Sequence, residues 1–242
     1  MNLDALVFAA HPDDAELSMG GTIARLSKHE LKVGIIDFTR GELGTRGSAE
    51  IRQKEAFQSA IILNAALREN LDIPDGNIEA TKENVERVVM CIRKYKPKII
   101  FAPYWNDRHP DHIQVSVIVK KAMFVAGLEK VITFDKKKKQ NAFRPEHLYY
   151  YMQTYTFDPS FIVDISETFE TKMKSVNAYS SQFFNPKSIE PETFISRPNF
   201  IKYIESRAHV YGFKIGRDYG EPFLSEEYIE LDLISALKRK TG

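Results

Sequence analysis

Apolar residues in the first half of the chain follow two alternating patterns. Short runs rich in β-branched residues are each followed by a longer segment in which apolar residues recur with helical spacing. This alternation is typical of strand–helix–strand crossover units and predicts an α/β fold with a mainly parallel sheet flanked by helices. The predicted strands are 3–9, 32–38, 98–102, 147–153 and 161–165, and the predicted helices are 15–29, 49–64, 82–95, one from near 110, 167–179 and 199–211.

Polar residues and prolines mark several boundaries of these elements. Ser48 and Thr81 are predicted N-caps, because a hydroxyl can accept a hydrogen bond from an exposed N–H of the first helical turn. Pro97 ends the third helix before the next strand. The segments 39–47, rich in glycine and charge, and 74–76 (PDG) are predicted loops.

Composition narrows the class of protein. A chain of 242 residues with 43% hydrophobic residues predicts one folded domain over 1–242. The net charge of +1 argues against nucleic acid as a partner, and we interpret the basic run Lys136 to Lys139 as a solvated loop. Cys91, the single cysteine, lies in an apolar segment and is interpreted as a core residue.

No long apolar segment appears in the sequence. A membrane span needs about 20 apolar residues, and no stretch approaches that length. A basic segment followed by an apolar one, typical of a signal peptide, is also missing at the N-terminus. Together with the single cysteine, these features lead us to expect a soluble cytoplasmic protein without a membrane partner.

Two polar clusters follow predicted strands, where α/β sheets commonly bind ligands. They are 11–14 (HPDD) and 109–112 (HPDH). His11, Asp14 and His112 could supply three ligands to one catalytic zinc ion and leave a fourth position for water. The site would remain positively charged, which lowers the pKa of that water toward about 7.

The remaining acidic and histidine side chains of the clusters have predicted catalytic roles. Adjacent aspartates in a tight turn cannot easily reach the same ion, so Asp13 is the candidate general base. A protonated His109 would stabilise the oxyanion or protonate the leaving amine. Asp111 is expected to pair with His109 and to raise its pKa.

The two clusters also allow interpretations other than a hydrolase. Separated histidines are often unrelated surface groups, and aspartates before helices are often caps, so each cluster alone is a weak signal. A nucleotide-binding protein would need a Gly-x-Gly-x-x-Gly turn after the first strand, where this chain has two aspartates. A noncatalytic metal-binding protein would need no general base. The same ligands would also accept iron(II).

The sequence resembles the PIG-L or LmbE-like deacetylases through its segments 10–16 (AHPDDAE) and 109–112 (HPDH). The segments 39–48 (TRGELGTRGS) and 192–198 (ETFISRP) are similar to the subgroup of bacillithiol biosynthesis. This resemblance implies a Rossmann-like fold, one zinc ion on His11, Asp14 and His112, Asp13 as the base and a charged His109. It further implies a homohexamer that removes the acetyl group from N-acetylglucosaminyl-malate.

Malate carries two carboxylates, so its site should contain arginine, whose planar guanidinium can hold a carboxylate with two hydrogen bonds. Arg52 and Arg108 are the predicted substrate-binding residues, and Arg46 and Arg197 are second candidates. The glycines of segment 39–48 are expected to permit a mobile loop that closes over the sugar. The alternative substrates are another N-acetylglucosamine derivative and a thiol-conjugate amide.

Overall fold

The computed structural model of the chain describes residues 1–230, which form one α/β domain around a seven-stranded sheet. The strands are β1 (Ala5–Ala9), β2 (Val33–Asp37), β3 (Leu67–Asn70), β4 (Ile99–Pro103), β5 (Phe134–Asp135), β6 (Lys138–Lys139), β7 (His147–Tyr151), β8 (Phe161–Asp164) and β9 (Gly220–Leu224). The helices are α1 (Asp14–Lys28), α2 (Ala49–Ile62), α3 (Lys82–Tyr95), α4 (Pro110–Ala126), α5 (Phe169–Asn177) and α6 (Phe200–Lys214).

The central sheet has the strand order β3-β2-β1-β4-β7-β9-β8. Five successive strands are parallel to one another, β3, β2, β1, β4 and β7, whereas β9 pairs antiparallel with both β7 and β8. The chain order reverses between β1 and β4, and a crevice opens at such a switch point at the carboxyl ends of the strands. The strand directions confirm the predicted mainly parallel α/β fold. Both polar clusters begin at this crevice.

Helices cover both faces of the sheet. Alternate residues of β1 enter opposite cores: Ala5, Val7 and Ala9 pack in the core that includes α1, and Leu6 and Phe8 in the core that includes α3 and α4. A strand buried on both faces reads as a continuous apolar run, which is why β1 was recognisable in the sequence. Cys91 lies buried in the second of these cores, as predicted.

The predicted N-caps of α2 and α3 are confirmed. The Ser48 hydroxyl accepts a hydrogen bond from the Ile51 N–H at 3.3 Å, and Thr81 accepts one from the Asn84 N–H at 3.2 Å. None of the helices within residues 1–230 is long and apolar enough to cross a bilayer.

The run Lys136 to Lys139 is exposed, as predicted, but it is not a simple loop. Its last two residues form β6, which pairs antiparallel with β5 in a separate hairpin. Lys136 and Lys137 make the turn with positive φ angles of 44° and 71°, which supply the twist that a two-residue hairpin turn needs.

Helix α1 is divided by a kink at Met19, whose φ of −142° is not helical. Beyond the kink, the N–H groups of Gly21 and Thr22 would lack helical partners, and both donate instead to the buried Glu221 carboxylate of β9. Lys172 of α5 forms an ion pair with the same carboxylate at 2.5 Å. A strand and a neighbouring helix thus fix the break in α1, which begins at Asp14, the last residue of the HPDD cluster.

Candidate active site

The HPDD and HPDH clusters meet because their strands are neighbours. Val7 of β1 lies opposite Phe101 of β4 in parallel register, and each cluster follows the carboxyl end of its strand. Asp13 is the N-cap of α1, and His109 is the N-cap of α4. Two helix N-termini therefore point their partial positive charge toward one crevice.

The three predicted metal ligands converge in this crevice. Asp14 Oδ2 lies 3.5 Å from His11 Nδ1, and Asp14 Oδ1 lies 3.3 Å from His112 Nε2. Each of these two distances is close to the roughly 3.4 Å that separates ligands about 2.1 Å from a tetrahedral zinc ion, with a different Asp14 oxygen nearest each histidine. All three side chains are buried. A nitrogen of His109 also lies within 4.8 Å of ligand nitrogens on both other histidines.

Carboxylates fix the orientation of both histidine ligands. His11 Nε2 contacts Asp75 Oδ1 at 3.0 Å and Asp111 Oδ2 at 3.3 Å, and His112 Nδ1 contacts Asp107 Oδ1 at 2.9 Å. One nitrogen of each ring is thereby held by a carboxylate, and the other faces Asp14, which is the usual arrangement around histidines that bind a metal. The residues therefore suit a divalent ion.

The protonation of His112 reflects the same surroundings. Burial opposes its charged form, but the Asp14 and Asp107 carboxylates outweigh burial and raise the pKa of His112 to about 9. A metal ion would have to displace that proton, since only the neutral imidazole is a ligand.

Asp13 occupies a strained position in the turn. Its φ of 112° lies in a region that residues with a side chain rarely adopt, and such strain persists where the surroundings enforce it. Burial raises the pKa of its carboxyl to about 7, even though the Arg52 guanidinium lowers it. A carboxyl with a pKa near neutrality can both accept and return a proton, as the predicted general base must.

Arg52 holds this turn from α2. Its Nη2 donates to the Pro12 carbonyl and to Asp13 Oδ2, the latter at 3.2 Å, and its Nη1 donates to the Gly41 carbonyl at 3.2 Å. A Cβ on Gly41 would lie 1.8 Å from Arg52 Nη1, so a side chain there would displace the guanidinium, and the positive φ of 65° also favours glycine. Arg52 lines the crevice, but much of its hydrogen-bonding capacity is used by the protein, whereas the sequence predicted a group free to bind substrate.

The expected pairing of Asp111 with His109 is wrong. Asp111 Oδ2 instead contacts His11 Nε2 and accepts from the Gly76 N–H at 2.9 Å. His109 Nδ1 accepts the Asp111 N–H at 3.2 Å, which leaves Nε2 to carry the ring proton. Burial and the charges of His11 and His112 lower the pKa of His109, so its neutral form is favoured.

A cavity of about 610 Å³ opens over these groups. The candidate site residues that line it are His11, Asp13, Asp14, Arg52, Arg108, His109 and His112. It is also lined by residues that the sequence did not single out for the site, among them Leu17, Gln153, Phe200, Tyr203, Ile204 and Arg207.

The predicted arginines lie in different surroundings. Arg108 is exposed at the cavity and lies 4.6 Å from the centre of the Phe194 ring. Arg46 is buried 3.5 Å from Glu190, and exposed Arg197 pairs with Glu192 at 3.2 Å. Neither Arg46 nor Arg197 lines the cavity, so Arg108 is the arginine best placed to meet a substrate.

Asp75 and Asp107 are site residues that sequence reasoning missed. Asp75 belongs to a segment that was interpreted only as a turn, and Asp107 lies five residues before His112, outside the HPDH cluster. Sequence reasoning could have found Asp107, because a histidine ligand commonly needs a carboxylate for its other nitrogen.

The chain has relatives among known proteins. The sequence model of the PIG-L family, described as GlcNAc-PI de-N-acetylase, matches residues 6–123. Diacetylchitobiose deacetylase of Thermococcus kodakarensis is 30% identical over 89% of this chain and 80% of its own length. A probable N-acetyl-alpha-D-glucosaminyl L-malate deacetylase 2 of Bacillus anthracis is 25% identical over 74% and 80%. The solved structure of a conserved Thermus thermophilus protein is 36% identical, with a TM-score of 0.84 over 95% of this chain and 97% of that one.

Proposed function

Because this chain belongs to the PIG-L family of deacetylases, we propose that it is a metal-dependent hydrolase acting on the acetamide of an N-acetylglucosamine conjugate. The observation that carries the metal assignment is the convergence of His11 Nδ1, Asp14 and His112 Nε2 at 3.3 to 3.5 Å. A divalent ion, zinc in our proposal, would supply a Lewis acid that acidifies water and polarises the amide carbonyl.

The chain's own residues would then handle the protons and the developing charge. The Asp13 carboxylate, held by Arg52, takes a proton from the attacking water and passes it toward the leaving amine. His109 donates a hydrogen bond from Nε2–H to the oxygen that becomes negative. Asp111 acts on His11 in this scheme, by holding its ring in place.

N-acetylglucosaminyl-malate is the substrate we propose first. Its support is Arg108, an exposed cation at the cavity that, within residues 1–230, has no carboxylate at ion-pair distance. A malate carboxylate would supply that partner. The similarity to the Bacillus anthracis protein points the same way.

Diacetylchitobiose is the second candidate, favoured by the Thermococcus kodakarensis relative, which matches more of the chain. The exposed rings of Phe194 and Tyr203 line the cavity and could stack on a second sugar. The two substrates differ in the aglycone, the group attached to the acetylated sugar: it is a charged malate in one and a neutral sugar in the other.

The deciding experiment measures amine release from N-acetylglucosaminyl-malate, diacetylchitobiose and N-acetylglucosamine, with protein stripped of metal and then restored with zinc. Zinc-dependent release that favours the malate conjugate supports the full proposal. Zinc-dependent release that favours the disaccharide keeps the deacetylase and replaces the substrate. Equal release before and after stripping would refute the metal assignment. We also propose the homohexamer, which light scattering of the purified protein tests.

A further inference from the structure

Asp75 connects the candidate metal site to residues 41–47, here called the glycine loop. Its Oδ1 contacts His11 Nε2 at 3.0 Å, and its Oδ2 accepts the Leu43 N–H of the glycine loop at 3.0 Å. Each carboxylate oxygen thus serves a different part of the molecule. Asp75 is buried, although Leu43 is 72% exposed.

Two more contacts strengthen this connection. Glu42, also in the glycine loop, accepts the Asp75 N–H at 2.8 Å, and the next N–H, that of Gly76, donates to Asp111 at 2.9 Å. Asp111 contacts His11 as well. The turn that holds Asp75 is therefore bound on one side to the glycine loop and on the other to His11, directly through Asp75 and indirectly through Asp111.

We propose that Asp75 is a positioning residue that couples the glycine loop to metal binding, an inference that rests on the metal assignment above. His11 would hold the metal ion through Nδ1, which would leave the ring proton on Nε2 to be donated to Asp75. That hydrogen bond orients the carboxylate toward the Leu43 N–H and holds the glycine loop against the cavity. Coupling of this kind is reciprocal, so the loop contacts also raise the affinity for the metal.

Asp75→Asn tests the coupling because an amide has one acceptor oxygen where a carboxylate has two. The variant can accept from His11 or from Leu43 but not from both. Asp107→Asn is the matched control: Asp107 orients the other histidine ligand at 2.9 Å, yet its remaining partners are the N–H groups of His109, Thr154 and Tyr155, outside the glycine loop.

Two measurements on the full chain are needed, neither of which depends on activity. Competition with a chromogenic chelator gives the zinc affinity, and hydrogen exchange followed by mass spectrometry gives the protection of amides 41–47 with and without zinc. We expect zinc to slow exchange in the wild-type glycine loop. Both variants should lose about 10- to 100-fold in zinc affinity. Only Asp75→Asn should lose the zinc-dependent protection when both variants are saturated with zinc.

Glu42→Ala tests the coupling at an exposed side chain of the glycine loop, so a folding defect is not expected. It should weaken zinc binding several-fold and reduce the protection of the glycine loop. Wild-type zinc binding without slower loop exchange, equal loop behaviour in the two aspartate variants, or unchanged zinc affinity in Glu42→Ala would overturn the coupling alone. A wild-type chain that binds no zinc would overturn the metal assignment and the coupling together.

Discussion

Asp13 combines three unusual properties in one residue: a positive φ, a buried carboxyl and a raised pKa. Burial and strain cost free energy, and such a cost is commonly retained where a residue has a chemical task. The adjacent Asp14 faces both histidines, whereas the Asp13 carboxylate contacts Arg52. The two neighbouring aspartates therefore have separate surroundings, which supports separate roles.

Replacing Asp13 by Asn should leave the metal bound while turnover falls by about 100- to 10,000-fold, the usual contribution of general acid–base catalysis. An amide keeps the shape of the side chain but cannot accept the proton. Steady-state kinetics with metal analysis of the same sample tests this. If the variant retained zinc and wild-type turnover, Asp13 would not be the base.

Arg108→Ala should raise KM for N-acetylglucosaminyl-malate by about 10- to 100-fold, the equivalent of losing a hydrogen bond to a charged group. KM for N-acetylglucosamine, which lacks the carboxylates, should change little. Arg197→Ala is the matched control, because Arg197 is exposed and lies outside the cavity. Equal losses on both substrates would refute carboxylate binding by Arg108.

Cys91 should resist thiol reagents in the folded protein. Burial raises the pKa of its thiol to about 12, so the thiolate is scarce at pH 8. In the unfolded chain the thiol should have the pKa of a free cysteine, about 8.5. The free energy of unfolding should therefore decrease as the pH rises from that value toward 12. Slow reaction with a colorimetric disulfide in buffer and rapid reaction in denaturant would confirm the burial.

At the scale of elements, sequence patterns predicted the strands and helices that are long or capped. β1 and β4 are continuous apolar runs, and α2 and α3 begin at hydroxyl caps. β3 (LREN) and β9 (GEPFL) were missed because three of the four residues in β3 are polar, and β9 contains Gly220 and Pro222. Their place in the sheet depends on pairing with distant strands, which local composition does not encode.

The candidate site was also predictable only in part. The two histidine-aspartate motifs follow strands and were visible in the sequence, so the convergence of His11, Asp14 and His112 could be anticipated. The partner of Asp111 could not, because that choice depends on how the turn at Gly76 packs against α4. The contribution of α6 could not be predicted either, because this helix brings Phe200, Tyr203 and Arg207 to the cavity from a distant part of the sequence.

The kink in α1 leads to a prediction about stability. Lys172→Met should lower the free energy of unfolding by about 3–5 kcal/mol, because it leaves the Glu221 carboxylate buried without its cation. Lys28→Met is the matched control: Lys28 pairs with Glu167 at 2.6 Å, but both side chains are largely exposed, and such pairs contribute about 1 kcal/mol or less. Urea denaturation measures both. Similar losses in the two variants would contradict this account of the kink.

At the scale of the whole molecule, the proposed metal site joins both sides of the switch point, since its predicted ligands follow β1 and β4. A metal ion should therefore stabilise the entire domain, by about 4 kcal/mol when its free concentration is 1,000 times Kd. Removing it with a chelator should lower Tm by several degrees, and adding zinc back should restore it. Calorimetry of the two forms tests this, and identical melting curves would argue against a structural link.

The residues that line the cavity come from two parts of the chain. The predicted ligands and base lie within residues 11–112, whereas residues 153–207 supply a second set, which includes Gln153, Phe194, Tyr203 and Arg207. In the proposed enzyme, the groups for bond cleavage thus lie in one stretch of sequence, and the cavity residues available to an aglycone, apart from Arg108, lie largely in the other. Substitutions in the later stretch can change which conjugate is accepted while every group that would touch the metal stays in place, so a new substrate preference does not require a new catalytic centre.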